Sequence, residues 1–326
     1  MSRPFLVFAV ILSVYTLTST LAAGLVTAAW RVGVVNRGSP RAAARANRIL
    51  MLRLLPASTA LSVTLGLLLP AYLAFEPPAS FEQVGPWLAG LAGCGALLVA
   101  GALVTGARAI VATRRLERSW LGAADPLIVD PPIVVPAFAI ESCAPLVALV
   151  GVWRPTLVTA LSVVEACGPE ELASIVRHEM GHLHAHDNLK RLLVACAPDL
   201  LHLSSVHGEM AAAWHHAAED AADDQATLGN ARARLELAGL LVKVARLAPQ
   251  RLWTVAAVSP FVDADELDRR VRRLLQDDPP PQRSAWSTAV TGLTVVMGAV
   301  AALCLSSPPI LRMLHSGVEA LVAAGR

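Results

Sequence analysis

Charged residues are scarce in this sequence, and their scarcity excludes several classes of protein. Asp, Glu, Lys and Arg make up only 16% of the 326 residues, whereas about a quarter is usual for globular proteins. Hydrophobic residues make up 55%, and the mean hydropathy is +0.55. This composition argues against a disordered chain, a nucleic-acid-binding tail and an ordinary cytosolic protein. Much of the chain is therefore expected to lie in a lipid bilayer, without direct nucleic-acid binding.

Cysteine pairs with metal-ligand spacing are also lacking. The five cysteines are widely spaced and form no C-x-x-C, which excludes a zinc ribbon and a disulfide framework. Cys94 and Cys304 lie in strongly apolar runs, where an isolated cysteine behaves as a small hydrophobic residue. We therefore assign the cysteines no chemical role.

Four apolar runs are free of charge and long enough to cross a membrane. They span residues 5–30, 54–75, 84–106 and 285–306, and a bilayer core requires roughly 20 apolar residues per helix. The first run also resembles a cleavable signal peptide, but it continues to Trp30, well beyond the roughly 7–15 apolar residues of a signal. We therefore predict four transmembrane helices, the first of which is retained.

Arginines flank these runs unevenly, and the asymmetry predicts an orientation. Six arginines and no acid separate the first two runs, two glutamates separate the next two, and four arginines follow the third. Short cytoplasmic loops carry the excess of Lys and Arg. We therefore predict a multi-pass protein of the cell membrane with its N-terminus outside and residues 113–284 in the cytoplasm. The three helices within residues 1–112 precede that segment, and residues 307–326 form a short outer tail.

The cytoplasmic segment is long enough for one compact domain. Short apolar runs separated by prolines predict a small β-sheet, and they lie at residues 133–135, 137–140, 146–150 and 156–159. A helix is predicted from Pro169, which stands at a first helical position before two glutamates. The predicted helices span residues 169–193, 205–228, 231–247 and 264–275. The fold class is therefore mainly α, with an α+β domain between helices three and four.

The last of these helices is predicted to be amphipathic. One side carries apolar residues, and the acid and arginines lie mostly elsewhere. The apolar residues are Leu267, Val271, Leu274 and Leu275, and the charged residues are Asp268, Arg269, Arg270, Arg272 and Arg273. A proline-rich linker at residues 277–281 then leads to the fourth membrane helix.

A metal-binding motif lies inside the helix predicted for residues 169–193. The run His178-Glu179-Met180-Gly181-His182 matches H-E-x-x-H. Residues four apart share one face of an α-helix, so both imidazoles can bind one Zn²⁺ ion. Glu179 is then placed beside the water that zinc activates, where it can act as the general base. The motif predicts one zinc ion per chain, with His178 and His182 as ligands.

A third ligand is expected, because catalytic zinc usually keeps three protein ligands and one open position. Glu219 is the preferred candidate, since Asp223 four residues later faces the same way and can accept the N–H of a zinc-bound histidine. His215 and His216 compete with Glu219 for the ligand role. Asp187, which follows the motif, is a further supporting carboxylate that can anchor the helix end or a histidine N–H.

The order of these features resembles the BlaR/MecR-type membrane metallopeptidases. Three membrane helices come first, then H-E-x-x-H, then E-x-x-x-D, and then a fourth membrane helix. Two local runs are also similar to the core of that family, namely Gly151-Val152-Trp153-Arg154-Pro155-Thr156-Leu157-Val158 and Gly168-Pro169-Glu170-Glu171-Leu172. The resemblance in layout covers most of the chain, whereas the specific motifs cover a much smaller part.

The resemblance implies a gluzincin-like metallopeptidase domain in which His178, His182 and Glu219 bind zinc and Glu179 is the general base. It also implies a signalling protease that cleaves itself or leads to inactivation of a transcriptional repressor, with a winged-helix repressor as a candidate protein substrate. Family members that sense β-lactams carry a penicillin-binding domain with an S-x-x-K serine after the fourth helix, and this sequence lacks that motif there. A β-lactam sensor is therefore not expected.

Two alternatives remain open. HtpX-like and CAAX-prenyl-protease-type enzymes share H-E-x-x-H and E-x-x-A-D, which would make the protein a quality-control or processing protease of the membrane. A catalytically silent membrane sensor or scaffold would keep the fold and bind a regulator, although it need not retain all four residues of the site. The sequence leaves the oligomeric state open, a homo-oligomer included.

Overall fold

The structure is a computed structural model that describes most of the chain up to residue 276. The described residues are 3–33, 41–75, 85–122, 124–129, 132–142, 146–247 and 264–276, with a few further residues between 312 and 320. This part of the chain is mainly helical, with one small mixed sheet. The predicted fourth membrane helix and the proline-rich linker lie outside the described residues, as does most of the predicted outer tail.

Three helical segments are long and apolar enough to cross a membrane. Their elements are α1 (Arg3–Arg31), α2 (Ala42–Leu61), a π-helical stretch (Ser62–Leu68), α3 (Leu69–Phe75) and α4 (Pro86–Leu121). The π-helical stretch joins α2 to α3, so the second candidate span runs continuously from Ala42 to Tyr72. These segments correspond to the first three predicted spans. Both α2 and α4 extend beyond the predicted runs, toward the arginine-rich parts of the sequence.

Close packing of α1 against α4 depends on a glycine. A Cβ atom on Gly95 would lie 2.7 Å from the carbonyl oxygen of Leu12 and 2.7 Å from Thr16 Oγ1. The Thr16 hydroxyl donates a hydrogen bond to the carbonyl oxygen of Leu91 across the same contact, at 3.0 Å. Small residues and hydroxyl groups hold helices together where the surrounding lipid is as apolar as the helices.

A four-stranded mixed sheet follows α4. The strands are β1 (Asp125–Pro126), β2 (Ala137–Ile140), β3 (Val147–Val150) and β4 (Thr156–Ala160). Their spatial order is β1-β2-β4-β3, with β2 parallel to β4 and the other pairs antiparallel. In β4, Leu157, Val158 and Ala160 are almost fully buried, so the central strand supplies much of the core. Strand β3 lies at one edge of the sheet.

The predicted sheet is present, but the first predicted strand is wrong. Residues 133–135 form no strand and bend into β2, while β1 occupies a position that no apolar run indicated. Pro132 and Pro136 bracket the Ile133-Val134-Val135 run, and proline cannot donate to a strand ladder. The run is therefore too short to pair.

Six helices complete the described part of the chain, together with a short 3₁₀ helix at Leu200–Leu203. They are α5 (Leu161–Ala166), α6 (Pro169–Ala185), α7 (Asp187–Ala195), α8 (Ser205–Thr227), α9 (Ala231–Arg246) and α10 (Ala264–Leu275). The helices predicted for residues 205–228, 231–247 and 264–275 are confirmed. The single helix predicted for residues 169–193 is instead two helices.

The break between α6 and α7 falls at His186. Its φ is 55°, in the left-handed region that side chains other than glycine seldom adopt. The turn brings Asp187 back toward His182, whose Nδ1 lies 2.8 Å from Asp187 Oδ2. In an unbroken helix, residues five apart would lie on different faces. The break therefore makes this contact possible.

The amphipathic pattern predicted for α10 is wrong in one respect. Its buried residues are Glu266, Arg270 and Leu274, which lie four residues apart and share one face. Leu275, which was expected on the apolar side, is 57% exposed. The charged residues of the buried face are balanced by partners on other helices, as the site below shows.

Two ion pairs, one of them buried, join α2 to the rest of the fold. Arg53 is 2% exposed, and its Nη1 lies 2.8 Å from Asp199 Oδ2. Nearer the start of α2, Arg45 Nη2 lies 2.5 Å from Asp220 Oδ2 on α8. Apolar residues of α1, α2 and α8 form one core cluster around these contacts. The arginine-rich end of α2 is therefore part of the domain that carries the candidate site.

Candidate metal centre

Helix α6 presents the H-E-x-x-H motif on its buried side. The helix begins with Pro169 at its first position, and Glu171 Oε2 accepts a hydrogen bond from the backbone N–H of Gly168 at 2.8 Å. Such a start satisfies an otherwise unpaired N–H and fixes the helix register. His178 is 1% exposed and Glu179 is 4% exposed. The buried face of α6 thus points the motif toward α8.

Helices α6 and α8 approach each other closely at Gly181. A Cβ atom at Gly181 would lie 3.0 Å from Ala222 Cα and 3.2 Å from Ala222 Cβ. Gly181 is the second x of H-E-x-x-H, and Ala222 lies within E-x-x-x-D. Only small residues at both positions allow the two helices to approach this closely. This approach brings Glu219, one turn earlier on α8, next to both motif histidines.

Three side chains converge on one point. His178 Nε2 lies 3.4 Å from Glu219 Oε2, and His182 Nε2 lies 3.4 Å from Glu219 Oε1. One ligand atom from each of the three residues lies within 4.8 Å of the others. The structure therefore brings together the three predicted ligands in a group that could hold a metal ion.

Two carboxylates fix the orientation of the histidine rings. His178 Nδ1 lies 2.9 Å from Asp223 Oδ1, and His182 Nδ1 lies 2.8 Å from Asp187 Oδ2. An ionised carboxylate can only accept hydrogen bonds, so each Nδ1 carries the shared proton. The Nε2 atoms are then the ones directed at Glu219, as metal ligation requires. Asp187 and Asp223, both predicted from the sequence as supporting carboxylates, thus each contact the Nδ1 atom of one histidine.

Arg270 of α10 is a member of the site that the sequence did not reveal. Its side chain is buried, with Nη1 3.0 Å from Glu219 Oε2 and Nη2 2.6 Å from Asp223 Oδ1. Nη2 also lies 3.5 Å from both ring nitrogens of His178. One guanidinium therefore holds the third ligand and a supporting carboxylate together. The only signal in the sequence was its register with Leu274, four residues later on the same face.

The charges of the site shift the pKa values of the ligands strongly. Burial opposes a charged imidazole, but hydrogen bonds to Asp187 and Glu219 outweigh it and raise the pKa of His182 to about 10. Burial would raise the pKa of Glu219, but Arg270 and the two histidines hold it well below its usual range. Without a metal, these contacts therefore favour the ionised form of Glu219 and the charged form of the His182 imidazole. Because a metal binds the neutral imidazole, metal binding here is expected to release protons.

Glu179 has a different electrostatic environment from Glu219. Burial is the largest influence on it and raises the pKa of its carboxyl, although the neighbouring histidines oppose the change. A carboxylate with a raised pKa is a better proton acceptor at neutral pH than an ordinary glutamate. The position and the pKa of Glu179 are therefore those of a candidate general base.

The donor set fits zinc, and so do the two distances from Glu219 to the histidines. With zinc–ligand bonds of about 2.0–2.2 Å, the ligand atoms of a tetrahedral site lie about 3.3–3.5 Å apart. The two distances of 3.4 Å from Glu219 to the histidines match that spacing. Two imidazoles and one carboxylate, with carboxylates behind the imidazoles, are also a usual zinc environment. The metal that the site would bind is part of the proposal below.

The competing histidines lie at the margin of the site. His215 Nδ1 is 3.8 Å from Glu219 Oε1, and His216 Nε2 pairs with Glu266 Oε2 at 2.8 Å. Among the described residues, neither belongs to the group that could hold a metal. Glu219 is thus the third member of that group.

Comparison of the chain with protein-family models, with curated proteins and with solved structures finds no match.

Replacing Gly181 by alanine should destabilise the site, because the new methyl group would press against Ala222. We expect a loss of about 1–3 kcal/mol in the free energy of unfolding, as is usual for overpacking, together with weaker metal binding. Thermal unfolding and metal titration of the purified protein measure both effects. Gly208→Ala on α8 is the matched control, since nothing lies within 4 Å of its Cβ position, and it should be neutral or slightly stabilising. Equal behaviour of the two variants would show that the helix contact does not matter.

Proposed function

We propose that this protein is an integral membrane zinc endopeptidase with its active site on the cytoplasmic side. The observation that carries the proposal is the convergence of His178, His182 and Glu219 beside the buried Glu179. Bound zinc would supply an electrophile and lower the pKa of water toward about 7. The three apolar segments and the arginines beside them support the membrane placement, with the fourth predicted span completing it.

The residues of the chain then have distinct parts in peptide hydrolysis. Glu179 accepts the proton of the attacking water and passes it to the nitrogen of the leaving amine. Asp187 and Asp223 keep the Nδ1 protons of the histidines in place, so that both rings present Nε2. Arg270 fixes the carboxylate of Glu219 through the 3.0 Å contact between Nη1 and Oε2. The gluzincin-like character of the domain belongs to the same proposal.

We propose that the protease has a signalling role and not a housekeeping one, because helix α2 contacts the helix that carries Glu219. Asp220 directly follows the ligand Glu219 and pairs with Arg45 of α2 at 2.5 Å. The same carboxylate pairs with Arg269 of α10 at 2.6 Å. A shift of α2 would therefore reach the third ligand through one ion pair. The substrate would be the chain itself or a repressor, as in the BlaR/MecR-type enzymes that the sequence resembles.

Metal removal tests the proposed activity. Detergent-purified protein should contain one zinc per chain and should cleave itself or an unfolded test protein such as casein. Chelation should abolish cleavage, and added zinc should restore it. Glu219→Ala should lose both zinc and cleavage, whereas Glu209→Ala, an exposed position on the same helix α8, should keep both.

The same measurements separate the alternatives. A silent scaffold predicts no cleavage even when zinc is bound, and it is favoured outright if the purified protein contains no zinc. Cleavage that survives complete chelation would contradict a metallopeptidase of any kind. An HtpX-type processing enzyme would show the same zinc dependence but would degrade misfolded membrane proteins in preference to a repressor.

A further inference from the structure

A cavity of about 740 Å³ lies beside α7. It is lined by the second half of α4, by β3 with the loop that follows it, and by α7. Neither His178 nor His182 lines it. Most of the lining is apolar, and it includes Ile110, Leu116, Leu149, Val152, Trp153 and Leu192. Its volume is typical of a site for a small molecule, about 300–1,000 Å³.

The lining also carries an excess of positive charge. Arg114, Arg154 and Arg191 line the cavity, and Glu117 is the only acid that does so among the described residues. In the part of the chain that the structure describes, no carboxylate lies within ion-pairing distance of these three arginines. Arg191 lies over the ring of Trp214 at 6.0 Å from its centroid. Apolar walls with three arginines and one glutamate among the described lining residues suit a ligand with an apolar chain and an anionic head.

The cavity lies beside the cytoplasmic end of the third apolar run, where a lipid could enter it from the membrane. Its first lining residue on α4 is Ala109, three positions beyond the end of the apolar run at residue 106. Helix α4 continues without a break from that run to Leu121. At the proposed orientation this part of α4 enters the headgroup layer of the cytoplasmic leaflet, which is rich in anionic lipid.

A polypeptide strand is a poorer occupant of this cavity than an acyl chain. Strand β3 is at the edge of the sheet, where an extended peptide could add by main-chain hydrogen bonds. The Asn188 side-chain N–H group already donates to the carbonyl oxygens of Leu149 and Gly151, at 3.0 Å and 2.8 Å. Those acceptors are therefore occupied within the chain. An acyl chain needs no hydrogen bonds from the wall that it contacts.

We propose that this cavity binds an anionic membrane phospholipid, with an acyl chain against the apolar wall and the phosphate at Arg114, Arg154 and Arg191. The inference rests on the membrane placement given under the proposed function, but it depends on neither zinc nor proteolysis. Each arginine near a membrane surface strengthens binding of anionic lipid by roughly fivefold.

Native mass spectrometry of the full-length protein in a non-ionic detergent tests this proposal. Titration with phosphatidylglycerol should show one saturable site, and phosphatidylcholine with the same acyl chains should bind more weakly. The double variant Arg114→Gln, Arg154→Gln should weaken phosphatidylglycerol binding by roughly 25-fold, at about fivefold for each arginine. The matched control is Arg115→Gln, Arg118→Gln, which removes two exposed arginines of α4 that do not line the cavity. Its binding should stay within about twofold of the wild type, because neither of these two side chains lines the cavity.

A second variant tests the apolar part of the site. Ala109→Trp places a large ring in the cavity from a half-exposed position of α4, and it should also weaken binding of phosphatidylglycerol. Inorganic phosphate should not displace the lipid at millimolar concentration. Equal losses of phosphatidylglycerol affinity in the two double arginine variants would contradict the proposal. Equal affinity of the wild type for phosphatidylglycerol and phosphatidylcholine would contradict it as well. So would displacement by phosphate, which indicates an anion site, or displacement by an unfolded apolar peptide, which indicates a polypeptide site.

Discussion

Glu179→Gln is expected to lower the rate of peptide cleavage by about 10²–10⁴-fold, the usual contribution of a general acid–base residue, while zinc remains bound. Glutamine keeps the size of the side chain but cannot accept the proton of the attacking water. Glu179 is 4% exposed, and burial already disfavours its ionised form. Loss of its charge should therefore leave the stability of the fold unchanged or slightly increased.

The control for this variant is Glu170→Gln. Glu170 lies in the exposed first turn of the same helix α6, so the substitution is chemically identical and distant from the site. Cleavage of casein and zinc content should both match the wild type. If Glu179→Gln cleaves as fast as the Glu170→Gln control, the assignment of the general base is wrong.

Arg270→Leu should cause the largest loss of stability, and the loss should depend on zinc. The guanidinium pairs with both Glu219 and Asp223, which are 3% and 0% exposed. Removing one partner of a buried ion pair typically costs about 3–5 kcal/mol, because the remaining charge is left uncompensated. Bound zinc would offset part of the charge of Glu219. The variant should therefore unfold at a much lower temperature without metal and recover part of the difference when zinc is added.

Arg272→Leu is the matched control for Arg270→Leu. Arg272 is on the same helix, but its side chain is 73% exposed and pairs with Asp268 at the surface. A surface pair contributes only about 0–1 kcal/mol, so this variant should melt close to the wild type. Melting temperatures of the wild type and of the two variants, each measured with and without zinc, test this prediction. A loss in Arg270→Leu no larger than that in Arg272→Leu would show that the guanidinium does not hold the site together.

The residues of the site that follow a local rule could be predicted from the sequence. His178 and His182 share a helix face by their spacing alone, and Glu219 and Asp223 repeat that spacing on α8. The bounds predicted for α8 and α9, residues 205–228 and 231–247, agree with the structure to within about one residue. The structure adds the proximity of the two helices, which depends on the contact of Gly181 with Ala222.

The features that the sequence did not predict depend on partners distant along the chain. Arg270 stands among other arginines on a short helix, and the amphipathic rule assigns such residues to solvent. Its burial follows from the carboxylates of Glu219 and Asp223, which reach it from a different helix. The break at His186 has neither glycine nor proline, and the sequence offered only Asp187, as an anchor for a helix end or for a histidine N–H, beside it. Its stabilising contact, between His182 and Asp187, forms only once the chain has turned.

X-ray absorption at the zinc edge of the purified full-length protein tests the metal centre most directly. A site made of His178, His182 and Glu219 predicts nitrogen and oxygen neighbours at about 2.0–2.2 Å, with the outer-shell scattering of two imidazole rings. A sulfur neighbour at about 2.3 Å would indicate cysteine ligation and would contradict this site. A purified protein without bound zinc would contradict it equally.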